Sequence, residues 1–498
     1  MGDSLINIHH QHILGYRTMN KNITLVFNSF FNVVYKTLNV VFPLITTAYV
    51  SRVLGASGMG KISSIQNITQ YFVMLACLGI PTYGIREIAK CGSDIEKKRQ
   101  IFSELFLINF LSTLLCSVVY YSSVFFIDIG YEKNMFFIIS GISIILNFFN
   151  VEWFYQGIEK YKFIALRNFS VKIILIVFIF LFVKTSHDTV IYLLLLVIGT
   201  GGNNILNVIC LKKNNICLVF KNLSIRRHIK NIIVLLCITI SVELYTMIDT
   251  TMLTILCESD VVGYYANSIK MIRMIVTVLT GISGVLLPRI SKYIAEGNIS
   301  DSEVLINKAL GIVFLISLPC ALGVQICSKE IVLCLFGDSF FNAIPTIQIL
   351  SLLIIIITLS NLFTSQVLMT FGCENKIMIA TIVGSVVNVI LNCIFIPRYY
   401  QNGAAVASIF GELTVLTISF LISKRLVKYN LILSDIVKDI ISSVFMCLVI
   451  LILKRYFKTC FGTLALEIIL GCFSYFMVNL LLKNKTMLTV FKIIKRGK

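Results

Sequence analysis

The chain has 498 residues, of which 57% are hydrophobic and only 13% charged, and its formal net charge is +19. A water-soluble chain of this length carries roughly 25% charged residues, so most of this surface faces something other than water. The positive charge does not indicate a nucleic-acid partner, because the lysines and arginines lie in short segments between long apolar runs.

Apolar runs of about twenty residues recur along the sequence, and each is long enough to cross a bilayer as a helix. They predict an all-α integral membrane protein of about fourteen transmembrane helices. The predicted spans are 28–50, 62–82, 101–126, 134–154, 163–183, 189–211, 231–257, 265–288, 306–327, 344–370, 377–397, 403–423, 435–454 and 462–482. No connection is long enough for a soluble catalytic domain, so we do not expect an enzyme.

The distribution of lysine and arginine predicts the topology. If the N-terminus is cytoplasmic, the basic connections, such as 212–230, fall on the cytoplasmic side, as is usual in membrane proteins. Losing or gaining one early span would invert that bias, so we expect both termini in the cytoplasm. The N-terminal tail can begin at Met1 or at Met19, and its histidines are not expected to form a structured metal site.

An internal repeat divides the chain. "GIEKYKFIA" (157–165) is similar to "GCENKIMIA" (372–380), and the pairs Gly60/Gly263 and Arg86/Arg289 stand at one common offset. Repeats of helices are typical of transporters. The predicted organisation is a cytoplasmic tail (1–27), an N-lobe (28–211), a cytoplasmic linker (212–230), a C-lobe (231–424), and two last helices with a basic tail (425–498).

Two features that suggest cofactor chemistry have simpler explanations. "GASGMGK" (55–61) fits the start of a phosphate-binding loop, but Ile62 stands where Ser or Thr must hold magnesium, and a transmembrane helix precedes it. We interpret it as a glycine turn between the first two spans. The fifteen cysteines form no CxxC pair and lie mostly in apolar runs, so we expect no metal and no cofactor.

Ionisable residues at membrane depth are costly and therefore candidates for function. Lys270 and Arg273 share one helix face and suit an anionic, phosphate-bearing substrate. The full set of candidate substrate-binding cations is Lys36, Arg52, Arg86, Lys270, Arg273 and Arg289. Topology and contact with lipid headgroups are the alternative explanation for Arg86 and Arg289.

Buried carboxylates are the second kind of candidate. Asp249, Glu243 and Glu412 lie in predicted spans, where a carboxylate can carry a proton or hold a sodium ion. The alternative is an internal ion pair of Glu243 or Asp249 with Lys270 or Arg273.

Five stretches are similar to one known family. They are "FPLITTAYVSRVLGASGMGKISSIQNITQYFVMLACLGIPTYGIREIAK" (42–90), "NVEWFYQGIEKYKFIALRN" (150–168), "DTTMLTILCESDVVGYYANSIKMIR" (249–273), "LLPRIS" (286–291) and "NVILNCIFIPRYYQNGAAVASIFGEL" (388–413). They resemble the polysaccharide-transporter (Wzx-type) flippases of the multidrug/oligosaccharidyl-lipid/polysaccharide (MOP) exporter superfamily. One departure is "PRYYQNGAA" (397–405), where the family more often has a tighter Tyr-Gly turn.

The resemblance implies two six-helix lobes around a central cavity, with alternating access driven by H⁺ or Na⁺. The implied substrate is an undecaprenyl-pyrophosphate-linked oligosaccharide of O-antigen, capsule or exopolysaccharide, moved across the bacterial cytoplasmic membrane. Membrane lipid and a polysaccharide polymerase are the other partners that it suggests. Tyr35, Tyr49, Tyr264 and Tyr265 could stack on sugar rings, although such residues are more often packing or interfacial residues.

Three other functions remain open at this point. A drug/cation antiporter of the same superfamily would favour acidic residues in its cavity, and this chain has both signs. A flippase for lipid-linked peptidoglycan precursors would be expected to match these motifs less well. A membrane-embedded polysaccharide polymerase or ligase would need a large outer loop, which the spacing of the apolar runs does not provide.

Overall fold

The computed structural model describes residues 42–126, 131–214, 216–220, 223–284, 287–430 and 433–489. All regular structure within these ranges is helical, which confirms the predicted all-α fold class. The predicted tail 1–27 and most of the first predicted span lie outside the described residues.

Seventeen α-helices follow one another along the described part of the chain, before a last helical segment at 485–489. They are α1 (42–77), α2 (Ile80–Lys90), α3 (Ile95–Phe126), α4 (Tyr131–Asn147), α5 (Glu152–Gly157), α6 (Tyr161–Phe182), α7 (Thr189–Ile209), α8 (Arg226–Leu256), α9 (Ser259–Gly284), α10 (Leu287–Ala295), α11 (Ile299–Ile326), α12 (Ser328–Ile331), α13 (Ile344–Leu350), α14 (Leu353–Asn361), α15 (Glu374–Ser423), α16 (Leu433–Tyr456) and α17 (Phe461–Leu481). A π-helical turn (Val332–Phe336) and a 3₁₀-helical turn (Asp338–Ala343) join α12 to α13, and a second π-helical turn (Leu362–Leu368) extends α14.

Within the described ranges, nine helical segments are long and apolar enough to cross a bilayer, by length and composition. A tenth results if Asp338–Leu350 and Leu353–Leu368, which meet at 44°, form one broken span. The predicted number of about fourteen is not reached there. One reason is that α9 carries Lys270 and Arg273 in its middle, and these residues lower its mean hydropathy.

Two of the nine segments are much longer than one bilayer crossing requires. Phe42–Lys90 has 49 residues and Glu374–Ser423 has 50, whereas about twenty suffice. Phe42–Lys90 has positive φ at Gly55 (68°) and again at Leu78 (50°) and Gly79 (74°), in the turn between α1 and α2, and Glu374–Ser423 has it at Tyr400 (50°). Gly55 and Tyr400 lie at the predicted connections between spans one and two and between spans eleven and twelve, whereas the turn at 78–79 lies within the predicted span 62–82. The predicted glycine turn at 55–61 is therefore a single break at Gly55 in an otherwise helical backbone.

Contacts group the chain into two compact units, whose boundaries differ from those of the predicted lobes at several places. The first unit includes Thr69–Phe182 and Val190–Cys237, and the second includes Leu44–Ile68, Val183–Thr189 and Ile238–Lys498. Residues 44–68, expected in the N-lobe, thus group with the second unit. The lobe boundaries themselves stay a prediction.

The first unit has an aromatic core around Phe102 of α3. Its ring stacks on Trp153 with 5.6 Å between centroids, and it meets Phe154 edge-on at 5.5 Å. Gly84 of α2 makes room for this arrangement, since a Cβ atom there would lie 2.3 Å from the indole ring of Trp153. Close packing of α2, α3 and α5 thus requires a glycine at this position.

A buried carboxylate in the same unit fastens the segment before α8 to α3. Glu104 is fully buried and accepts hydrogen bonds from the backbone N–H of Ser224 (2.7 Å) and from Arg227 Nη2 (2.5 Å). His228 Nε2 lies 2.6 Å from Glu104 Oε2, and His228 Nδ1 lies 2.9 Å from the hydroxyl of Tyr83. The end of the predicted cytoplasmic linker therefore has a defined position against α2 and α3.

In the second unit, the chain that follows α17 is tied back to the start of α16. The backbone N–H and the hydroxyl of Thr486 both donate to Asp435 Oδ2 at 3.0 Å. Asn484 Nδ2 donates to Asp439 Oδ1 at 2.9 Å, and the hydroxyl of Tyr475 donates to the same oxygen at 3.1 Å. Both carboxylates are buried; neutral donors satisfy Asp439, and Asp435 has in addition an ion pair with Lys438 Nζ at 3.7 Å.

Candidate functional site

Polar side chains gather around one buried carboxylate of the second unit, where α8, α9 and α15 meet. Asp249 of α8 is 5% exposed. Its Oδ1 accepts from Asn388 Nδ2 at 3.0 Å and from Asn392 Nδ2 at 2.6 Å. Its Oδ2 accepts from the hydroxyls of Ser408 and Tyr265, both at 2.6 Å. We call these five residues the Asp249 cluster.

The bend in α15 is what assembles the Asp249 cluster. Asn388 and Asn392 are four residues apart and share one face of the helix. Ser408 follows them by 16 to 20 positions, which would be roughly 24–30 Å along a straight helix. Both parts nevertheless contact one carboxylate, so the two arms of α15 converge on Asp249 after the break at Tyr400.

The Asp249 cluster can exchange its hydrogen-bond partners without a large movement. No ion pair with Lys270 or Arg273 is present in the described ranges, so the alternative of an internal pair for Asp249 does not occur there. Asparagine carries both a donor and an acceptor, and turning its amide presents oxygen in place of nitrogen. The buried Oδ1 of Asn392 has no hydrogen-bond partner in that part of the chain. Carboxylate, amide and hydroxyl oxygens together are ligands for a proton or a hard cation.

Lys270 lies close to the Asp249 cluster on α9 and contacts α1. Its ammonium donates to Thr47 Oγ1 at 2.7 Å. One turn earlier, Asn267 Nδ2 donates to Ser51 Oγ at 2.7 Å. Lys270 is half-buried, and its contact on α1 is a neutral hydroxyl. This arrangement leaves the positive charge available to an anion.

Arg273 is exposed, and within the described part of the chain one weak hydrogen bond holds it. Its Nη2 lies 3.4 Å from the backbone oxygen of Thr246. The hydroxyl of the same threonine donates to the backbone oxygen of Glu243 at 2.9 Å and lies 3.4 Å from its carboxylate. Glu243 is half-buried. Arg273 thus retains most of its five donors for other partners.

Arg52 has a structural explanation that sequence reasoning did not provide. Its Nη2 donates to the backbone oxygen of Cys334 and lies 3.4 Å from that of Leu333, at the end of the turn Val332–Phe336. Its guanidinium also lies 5.2 Å from the ring centre of Phe461. A cation on exposed carbonyls at a helix end is a stabilising arrangement. Substrate binding by Arg52 stays a prediction.

The remaining predicted residues lie on other elements or outside the described part of the chain. Arg86 lies on α2 and Arg289 on α10, and both are exposed. Glu412 is half-buried on α15, four residues after Ser408. Lys36 and Tyr35 lie outside the described residues. These residues keep the roles predicted for them, without a shared site.

Two glycines that the repeat singled out lie against each other in the second unit. A Cβ atom on Gly60 of α1 would lie 1.7 Å from the backbone oxygen of Ser259, and one on Gly263 of α9 would lie 2.2 Å from that of Ala56. The backbones of α1 and α9 therefore touch, as small residues permit in membrane helices. This contact explains the "GASGMGK" stretch as helix packing.

The neutral hydrogen-bond partners of Asp249 were not predicted from the sequence. Asn388 and Asn392 are almost fully buried in an apolar run, and their four-residue spacing was a signal that could have been used. Glu104 and His228 were missed because they lie near span ends, where charged residues are common.

The long apolar helices and their connections define a multi-pass membrane protein. The structure is similar to that titled "Lipid II flippase MurJ, inward closed conformation", with a TM-score of 0.73 and 17% identity, over 90% of this chain and 97% of that one. It is also similar to an inward-facing multidrug resistance MATE family transporter of the MOP superfamily, with a TM-score of 0.64 and 13% identity, over 80% of this chain and 97% of that one.

Sequence comparison identifies the family. The model described as "Polysaccharide biosynthesis protein" matches residues 25–294, and the model "MatE" matches residues 235–394. Proteins named "Putative O-antigen transporter" from Escherichia coli (strain K12) and Shigella dysenteriae are 24% and 22% identical, over 80% of this chain and 96% and 98% of theirs. The chain belongs to the polysaccharide biosynthesis protein family, and the resemblance inferred from its sequence is confirmed.

Proposed function

We propose that this protein flips an undecaprenyl-pyrophosphate-linked oligosaccharide from the cytoplasmic to the outer leaflet of a bacterial cell membrane. The family match and the relatives named for O-antigen transport support this class of substrate. A glycan joined to a diphosphate cannot cross roughly 30 Å of hydrocarbon unaided. Its carrier must offer polar and positive groups at membrane depth.

The exposed guanidinium of Arg273 is the observation that carries the proposal. It lies in the middle of α9, three residues from Lys270, and among the described residues only a backbone oxygen at 3.4 Å engages it. Placing an arginine at membrane depth costs a few kcal/mol, so an arginine at this depth is a candidate for binding a substrate. Arginine binds phosphate oxygens with two parallel hydrogen bonds, which suits a pyrophosphate.

The Asp249 cluster is proposed as the coupling site for H⁺ or Na⁺. Protonation would make one carboxyl oxygen of Asp249 a donor and so reverse one of the hydrogen bonds that now converge on it, whereas a cation would displace the donors and draw amide and hydroxyl oxygens toward itself. Because these bonds join α8, α9 and both arms of α15, occupancy would change how the helices pack. A ligand that favours one packing shifts the balance between conformations, and alternating access requires such a shift. Glu243 and Glu412 are further candidates for carrying charge.

A drug/cation antiporter is the second candidate function. The MatE match at 235–394 and the MATE fold favour it, and the Asp249 cluster would serve such a protein equally well. The two functions differ in what Arg273 does, because a cationic drug gains nothing from a positive group in its path.

The test replaces Arg273 by alanine in cells that lack the chromosomal copy of this gene. We expect the variant to reach the membrane at the wild-type level and to restore little or no surface glycan. Arg455→Ala, which removes another exposed arginine of the second unit, is the matched control and should restore export fully. Export by Arg273→Ala at the control's level would contradict the proposal. A loss of drug resistance with normal surface glycan would favour the antiporter.

A further inference from the structure

A cavity of about 430 Å³ lies in the second unit beside the bend of α15. This volume falls within the roughly 300–1,000 Å³ of small-ligand sites. The cavity does not include the Asp249 cluster. Its walls combine three aromatic rings with three side-chain amides: Tyr264, Phe341, Tyr400, Asn342, Gln401 and Asn402.

The aromatic rings are open to a ligand. Phe341 is 57% exposed and Tyr400 is 55% exposed, and Tyr264 is half-buried against Phe340 at 5.9 Å between ring centres. Rings of this kind present a flat apolar face with, in tyrosine, a polar edge. The C–H face of a pyranose ring is complementary to such a surface.

The amides supply free hydrogen-bonding groups next to the rings. Asn402 Oδ1 accepts from Thr346 Oγ1 at 2.7 Å, which orients the amide and leaves its N–H groups available. Gln401 Nε2 donates to the backbone oxygen of Asn342 at 3.3 Å, which leaves its Oε1 available. The amide of Asn342 makes no hydrogen bond with the described part of the chain. Donors and acceptors side by side are what sugar hydroxyls require.

The backbone at Tyr400 is strained. Its φ of 50° and ψ of −129° are those of the first central residue of a type II′ turn, where glycine is preferred. A bulky residue in this conformation is a true outlier, and such strain is found at ligand sites. Packing does not explain the strain, because more than half of Tyr400 is exposed. The strained backbone instead holds the tyrosine ring beside the cavity.

We propose that this cavity binds one sugar ring of a glycan, stacked on Tyr400 and held by the amides of Asn342 and Asn402. The predicted topology places the bend of α15 on the outer side of the membrane, where a flipped glycan emerges. This inference rests on the proposed function for the source of the glycan, but the binding itself can be tested without transport.

The experiment measures saturation-transfer NMR from the purified full-length protein to a panel of methyl glycosides of glucose, galactose, mannose, rhamnose and N-acetylglucosamine. We expect transfer to at least one of them. Tyr400→Gly removes the ring and relieves the strained turn, so the variant should fold and should bind that sugar about tenfold more weakly. Tyr400→Phe should bind within about twofold of wild type. Tyr399→Ala, which removes the adjacent exposed ring outside the cavity, is the matched control and should leave binding unchanged.

Three outcomes would overturn the proposal. They are no transfer to any sugar, equal transfer in Tyr400→Gly and wild type, and transfer only to the acyl chains of the detergent. Arg273→Ala separates this proposal from the proposed function, because that variant should lose export and still bind the sugar. Normal export by Arg273→Ala would contradict the flippase mechanism and leave the sugar site standing.

Discussion

Replacing Gly263 by alanine tests how closely α1 and α9 approach each other. The new methyl group would lie 2.2 Å from the backbone oxygen of Ala56 and 3.2 Å from the backbone nitrogen of Gly60, whereas ordinary contacts begin at 3.4 Å. The obstacles are backbone atoms, which cannot rotate away. The two helices would have to separate by about 1 Å, and the hydrogen bond of Lys270 to Thr47 would lengthen with them.

The expected cost is large for so small a change. Overpacking in a close-packed interior costs about 1–3 kcal/mol, and an obstacle of backbone atoms places Gly263→Ala near about 3 kcal/mol. Gly281→Ala is the matched control on the same helix, since no described atom lies within 4 Å of its added methyl group. That substitution should stabilise the protein by roughly 0.5–1 kcal/mol, because alanine favours helix more than glycine does.

Thermal unfolding of both variants in detergent, followed by size-exclusion chromatography, provides the comparison. The Tm of Gly263→Ala should lie roughly 5–15 °C below that of Gly281→Ala. Equal Tm values, or a more stable Gly263→Ala, would refute the close approach of the two backbones.

The remaining predictions concern the buried carboxylates of Glu104 and Asp249 and the topology. Glu104→Ala should lower the free energy of unfolding by about 3 kcal/mol, because His228 and a backbone N–H lose a buried acceptor. The control Glu96→Ala, at an exposed ion pair, should change it by less than about 0.5 kcal/mol. Equal effects of the two substitutions would contradict the role of Glu104. Asp249→Asn should remove the response of transport to an imposed H⁺ or Na⁺ gradient, and a variant that still responds like wild type would exclude Asp249 from coupling. In a cysteine-free background, Arg226→Cys should react with a membrane-impermeant thiol reagent only after the cells are opened, and labelling of intact cells would invert the topology.

The sequence predicted the helices well where composition alone determines them. The last two spans, predicted at 435–454 and 462–482, correspond to α16 (Leu433–Tyr456) and α17 (Phe461–Leu481). A bilayer crossing depends on length and apolarity, which are local properties of the sequence. The bend of α15 lies at a predicted connection between two spans, but the residue at which the backbone breaks was not predicted. Tyrosine disfavours the positive φ that Tyr400 adopts, so only contacts with residues distant in sequence can hold this conformation.

The candidate site was predicted in part, for a similar reason. The cost of burying charge pointed to Asp249 and Arg273 directly. Asn388 and Ser408 are neutral and cost less in a membrane, so a search for charged residues passes over them. Arg52 is the opposite case. Its charge made it a candidate for substrate binding, while its carbonyl partners lie about 280 residues away and cannot be inferred from spacing.

The tie between Asp435 and the residues after α17 has a practical consequence for shortened versions of the protein. Ending the chain at Leu482 would leave all of α17 in place, yet it would remove Asn484 and Thr486 and strip two buried carboxylates of donors. Leaving a buried charge without its partners costs about 3–5 kcal/mol, a large share of the stability of a folded domain. The stretch that looks like the start of a dispensable tail is therefore part of the domain, and fusion partners belong beyond it.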